Sequence, residues 1–255
     1  MHVSLIVPVH DQQGTIAEDV WVLSQQAARV SPDWELVVVD RGSRDRTPEI
    51  LERMRAREPR LILICHARTR GLGEAWRSAL MRARGEVLVV LDRPGEWNLT
   101  GLADMAAALE HCDIWAGHHR RAVPVRGRSR AGWALRAWLG LDPRLLDGGV
   151  FLMRRALFQH IGLIEQGDLV PWELAARAAR AGMAVGLGPL PFFAREGSRA
   201  AVVPTLGDLW RLRRQVRRPL PPLFTSGHEA STTRLRLEFL HNPEQGGEGQ
   251  LALER

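Results

Sequence analysis

The sequence predicts an α/β fold, with a mostly parallel central sheet and helices on both faces. Three observations predict it: short runs rich in Val, Ile and Leu, longer segments of helical period between them, and polar residues closing each run. Continuous apolar runs mark strands buried on both sides, and parallel strands of that kind need crossover helices rather than tight turns.

The elements follow in order. Residues 3–9 read as the first strand and 14–30 as a helix; Glu35 to Asp40 read as the second strand, with a helix over 46–57. Leu61 to Cys65 give the third strand. Gly71 and Gly73 open a helix reaching Arg84, Glu86 to Leu91 give the fourth strand, and a helix over 99–110 leads to a short strand at Ile114 to Ala116. After Gly117 an Arg-rich loop, His118 to Arg130, breaks the pattern. A helix over 131–140, a strand at Gly149 to Met153, a helix at Pro171 to Ala181, a strand over 183–188 and a basic helix over 205–217 complete the series. Pro219, Pro221 and Pro222 stop regular structure, and Gly246, Gly247 and Gly249 mark a tail of low order. The predicted organisation is one domain over 1–218, in halves 1–117 and 118–218, followed by a tail over 219–255.

The chain has 255 residues, 45% of them hydrophobic, which is enough for a full core. Its charge is +6, and every basic residue other than His is Arg, since Lys is absent. Tyr is absent too, beside nine Trp, so we read the basic balance partly as codon bias and expect no nucleic-acid partner. Cys65 and Cys112 have neither metal-type nor disulfide-framework spacing, which fits a reduced, cytoplasmic setting. A strand-like start with no signal-peptide pattern, and no run of about 18 apolar residues, predict a chain that does not cross a membrane.

In an open parallel sheet, ligands bind outside the carboxyl ends of the strands. Those ends carry His10-Asp11-Gln12, Asp40-Arg41-Gly42-Ser43 and Asp92-Arg93-Pro94-Gly95-Glu96. Carboxylates there can accept from a ribose hydroxyl or hold Mg²⁺ or Mn²⁺; equally, Asp40 and Asp92 can cap the turns that follow them.

Ser4 to Gln12, the strand Leu36 to Asp40 with Gly42-Ser43 and Asp45-Arg46-Thr47, Arg70 to Ala75, Ala83 to Val87, Asp147 to Arg155 and Arg195 to Arg199 together resemble family 2 glycosyltransferases of the GT-A fold. Within that family they are similar to the polyprenyl-phosphate sugar transferases of the dolichyl-phosphate mannose synthase type. The resemblance covers about 3–218 and implies a nucleotide-binding first half and an acceptor-binding second half. It implies a nucleotide-diphosphate sugar near Pro8, Val9, His10, Gln12, Asp40, Arg41, Asp92 and Arg93, with Arg128, Arg130 and Arg199 on phosphate. It also implies a metal on the diphosphate and an acceptor that is a lipid phosphate or another group. Two positions depart from the family pattern. Arg41 stands where the family has a second acid that accepts from the base, and Pro94 stands where Asp-x-Asp has its second carboxylate, leaving a degenerate motif.

Three readings of the altered site stay open. Asp92 and Glu96 could rebuild a metal pair; Arg41 and Arg93 could bind a diphosphate without metal, since guanidinium matches phosphate bidentately; or the site is inactive and the chain a binding or scaffold protein. No general base is evident in the sequence, which favours an acceptor that is already a phosphate anion. The helix over 205–217 sets Leu206, Leu209, Trp210, Leu212 and Val216 beside arginines, so it either lies peripherally on the inner face of a membrane or packs its apolar stripe on the body. Glu173 stands where relatives carry a helix acid, or serves as a first-turn charge.

Overall fold

The computed structural model describes residues 1–92, 102–119, 136–142, 145, 148–190 and 205–219. In order they form β1 (Val3–Val9), α1 (Ile16–Val30), β2 (Trp34–Asp40), α2 (Thr47–Arg55), β3 (Leu61–Cys65), α3 (Leu72–Leu80), β4 (Val87–Leu91) and α4 (Leu102–Ala108). There follow β5 (Ile114–His119), β6 (Gly148–Arg154), α5 (Arg155–Ile161), α6 (Val170–Arg180), β7 (Val185–Leu190) and α7 (Leu206–Val216). The strands form one seven-stranded sheet in the order β3-β2-β1-β4-β6-β5-β7. β6 alone is antiparallel to its neighbours, β4 and β5; the other pairs are parallel.

Strand periodicity divides the core in two. Leu5, Val7, Leu36, Val38, Val89, Leu91, Val150 and Leu152 face α1, α2 and α4. Ile6, Val37, Val39, Leu88, Val90, Phe151 and Met153 face α3, α6 and α7. Alternating residues point to opposite faces, and both faces are apolar, which is why the runs read as continuous. Trp76 on α3 is fully buried; its Nε1 donates to the Leu91 carbonyl at 3.1 Å, and its ring meets Phe151 edge-on.

The predicted strands and main crossover helices are present, with four differences. β6 runs against its neighbours, a direction that composition and period do not encode. β5 continues to His119 through a bulge at Gly117/His118, so its last residues read as loop. α5 was not predicted; it is short and ends at Gly162 in the left-handed conformation, φ 59°. β7 begins at Val185, two residues later than the sequence pattern places it. Of the helix expected over 131–140 the described part is helical over 136–139, and the tail beyond Pro219 lies outside the described residues.

Candidate functional site

β1, β2 and β4 are parallel, so the loops leaving Val9, Asp40 and Leu91 emerge along one edge of the sheet. The first two are stitched together by reciprocal hydrogen bonds. The N–H groups of Asp11, Gln12 and Gln13 donate to Ser43 Oγ (2.9 Å), Thr47 Oγ1 (2.8 Å) and Asp45 Oδ2 (2.9 Å). In return Arg44 N–H donates to Asp11 Oδ1 (2.7 Å) and Arg46 N–H to Gln13 Oε1 (3.1 Å). Burial alone would raise the Asp45 pKa, but hydrogen bonds from the Thr47 side chain and from the Gln13 and Thr47 backbone outweigh it and lower it. These loops are therefore held in place by the chain itself.

Asp40 is 2% exposed, and its carboxylate accepts from the Ser43 N–H, at 3.2 Å to either oxygen, and from the Ser43 hydroxyl. It closes the 40–43 turn, the capping role weighed from the sequence. Gly42 sits at φ +83°, and a Cβ there would lie 2.4 Å from the Arg68 carbonyl carbon, so this turn needs glycine twice over. Pro8 and Val9 are buried in β1, and the Val9 carbonyl accepts from Arg41 N–H at 2.9 Å, so these two form the floor of the edge. His10 and Gln12 stand at its rim. Among the described residues His10 Nδ1 and Gln12 Oε1 are buried with no hydrogen-bond partner, an arrangement that costs free energy until a ligand or water completes it.

Arg41 turns toward the second half of the chain. Its Nε donates to the Arg70 carbonyl (2.9 Å), and its Nη2 lies 3.6 Å from Asp168 Oδ1. Asp168 reaches that position because residues 165–167 dock on the start of α3: Gly73 N–H donates to the Gln166 carbonyl at 3.0 Å, and Arg77 Nη1 to the Glu165 carbonyl at 2.7 Å. A Cβ on Gly71 or Gly73 would lie 2.0 Å from the Gln166 or Glu165 carbonyl oxygen respectively. Glu173 holds the same segment from behind. It is fully buried, accepts from the N–H groups of Ile164 and Glu165, and pairs with Arg177 at 2.9 Å; Arg177 also donates to the Gln215 carbonyl of α7 at 2.9 Å.

Asp92 is positioned through its backbone, with its N–H donating to the Gly149 carbonyl at 2.8 Å. Arg93, Pro94, Glu96, Arg128, Arg130 and Arg199 lie outside the described residues. The structure thus brings Pro8, Val9, His10, Gln12, Asp40 and Arg41 together, with Asp92 ending the strand beside β1. Asp168 was missed in the sequence; it sits in a loop whose only local signal is Gln166-Gly167-Asp168 before a helix. His66 was missed as well. It follows β3, its Nε2 lies 2.9 Å from Ser78 Oγ, its Nδ1 is buried without a partner, and burial, then Arg70, lower its pKa.

Among the described residues no group of three or more His, Cys, Asp or Glu side chains could hold a metal ion. Asp40 is committed to its turn.

A profile of the family described as Glycosyl transferase family 2 matches residues 4–162. The chain belongs to this family. It is 28% identical over 159 residues to dolichyl-phosphate beta-glucosyltransferase ALG5C of Trichomonas vaginalis, covering 57% of this chain and 46% of that protein. It is also 28% identical over 205 residues to glycosyltransferase AglD of Haloferax volcanii, covering 74% of this chain and 33% of that one. The family 2 chain therefore spans less than half the length of these curated relatives. Among solved structures it resembles the mannosyltransferase PcManGT of Pyrobaculum calidifontis in complex with GDP-Man and Mn²⁺, with TM-score 0.59 and 22% identity over 84% of this chain and 60% of that one. It also resembles glucosyl-3-phosphoglycerate synthase of Mycobacterium tuberculosis with Mn²⁺, UDP and glucosyl-3-phosphoglycerate, with TM-score 0.56 and 21% identity over 84% of this chain and 77% of that one. These likenesses show the fold, the GT-A type expected from the sequence.

Proposed function

We propose that the chain transfers a sugar from a nucleotide-diphosphate donor, seated across the ends of β1, β2 and β4, to a lipid-phosphate acceptor. The observation that carries this reading is the self-stitched pair of loops at residues 10–13 and 40–47, with unpartnered polar atoms of His10 and Gln12 at its rim, in a chain of this family. A preorganised edge of this kind lowers the ordering cost of binding. The likeness to dolichyl-phosphate beta-glucosyltransferase ALG5C supports the lipid-phosphate acceptor.

A phosphate acceptor attacks as an anion. Its oxygen forms the new bond to the anomeric carbon while the bond from that carbon to the donor's β-phosphate oxygen breaks, and the nucleoside diphosphate leaves with the electron pair. No side chain has to remove a proton, which agrees with the lack of an evident base. Arg41, Arg93, Arg128, Arg130 and Arg199 are the residues proposed to neutralise phosphate. A divalent cation at Asp92 and Glu96 would supply charge neutralisation for the leaving diphosphate, and both solved relatives were crystallised with Mn²⁺. Membership of a family of sugar transferases favours transfer over the scaffold alternative. Peripheral contact with the cytoplasmic leaflet belongs to the same reading, because a lipid phosphate resides there.

The test is a thermal-shift screen of UDP, GDP and their sugars with and without Mn²⁺, followed by release of nucleoside diphosphate on adding a short-chain polyprenyl phosphate. Stabilisation and acceptor-dependent release are expected. Folded protein that responds to no nucleotide would overturn the proposal.

A further inference from the structure

α7 has two faces with different fates. Leu209, Leu212 and Val216 are at most 3% exposed and pack against the body. The helix is fixed at both ends. Thr205 and Asp208 form a reciprocal capping box, and Arg177 donates to the Gln215 carbonyl. With its apolar stripe consumed, the helix still presents Leu206 at 44% and Trp210 at 53% exposure, one turn apart. Arg214 continues the same ridge one turn on and stacks over the Trp210 ring at 4.9 Å, and Arg217 and Arg218 extend it. At 100° per residue Leu206, Trp210, Arg213, Arg214 and Arg217 fall within one arc of about 100°. Asp208 is the acid on the helix, and its ion pair is with Arg211 at 2.8 Å, which leaves the other exposed arginines to face outward.

We infer that this ridge is a docking surface for an anionic lipid bilayer. Trp and Leu at one end suit the boundary between headgroups and acyl chains, where an amphipathic ring keeps its N–H wet, and the guanidinium groups beside them complement lipid phosphates. Charge selects this occupant: a neutral apolar partner would leave the arginines unmatched. The inference rests on the lipid-phosphate reading above, since it names the surface that brings the chain to such an acceptor. It also revises the choice posed by the sequence, because the helix packs on the body with one face and keeps a second one for the membrane.

The experiment is co-sedimentation of the full chain with vesicles of phosphatidylcholine alone or mixed with phosphatidylglycerol. Binding is expected to the anionic vesicles, weakening as salt rises. Arg214→Gln/Arg217→Gln should lower the partition coefficient by about fivefold for each charge removed, and Leu206→Gln/Trp210→Gln should lower it at every salt concentration. Both variants alter exposed positions, and an unchanged melting temperature verifies their folding. Absence of binding to anionic vesicles, or binding by both variants as strong as that of the parent, overturns the inference. So does binding to heparin or an oligonucleotide in preference to vesicles, or a dimer that Trp210→Gln dissociates. Failure of the function reading is separable: sugar transfer to a water-soluble short-chain polyprenyl phosphate without vesicles tests that reading alone.

Discussion

Arg41 and Asp168 meet at 3.6 Å across the edge of the sheet, one following β2 and the other preceding α6. The resemblance read from the sequence implies a second acid at position 41. Here a cation stands in its place, and an acid from the second half of the chain faces it. The pair links the two halves where the donor is proposed to sit.

Neutralising Asp168 should remove one carboxylate that competes with a diphosphate for Arg41. The pair is partly exposed, at 16% and 38%, so its strength is about 0.2–1 kcal/mol. Titration calorimetry with UDP or GDP is expected to show binding tightened by roughly two- to fivefold in Asp168→Asn and weakened in Arg41→Ala. Weaker binding in Asp168→Asn would instead place that carboxylate on the ligand.

Gly71→Ala and Gly73→Ala each drive a Cβ to within 2.0 Å of a backbone carbonyl oxygen of the 165–166 segment. Backbone must move, and the expected loss is about 1–3 kcal/mol in urea denaturation. Gly14→Ala, with open space around the new methyl, is the control and should stay near neutral.

Glu173→Ala strands Arg177, which is 1% exposed, and frees the Ile164 and Glu165 N–H groups. Removing one partner of a buried pair costs about 3–5 kcal/mol. A melting temperature within a degree or two of the parent would contradict the assignment of Glu173 as the anchor of this loop.

His66 has its pKa lowered below 6.5, chiefly by burial and then by Arg70. The unfolded chain therefore takes up this proton first as pH falls, so this part of the stability is complete above about 6.5 and is lost toward the folded-state pKa. Denaturation midpoints across that interval should fall more steeply for the parent than for His66→Gln.

The strands and crossover helices were legible because a two-sided core writes itself as unbroken Val, Ile and Leu runs. The strand ends were legible as a candidate site because parallel order places them on one edge. What could not be read was everything set by long-range approach. Asp168 reaches Arg41 only after Gly71 and Gly73 admit the 165–167 backbone, and no local pattern encodes that docking. Glu173 carries the signal of a first-turn charge; its full burial and its partner Arg177 on the same helix follow from α7 closing over them. The basic helix looked like a choice between packing and membrane because a helical period counts faces but does not say which neighbour arrives.

The insertion of β6 between β4 and β5 has a consequence for any attempt to cut the chain. A fragment ending at residue 117 would truncate β5 and strip it of both hydrogen-bonded neighbours, β6 and β7, while exposing the β4 edge. The donor-side half is thus not a portable module. Shuffling acceptor halves between relatives at that boundary should yield aggregates, whereas grafts confined to the loops leaving the strand ends keep the sheet whole.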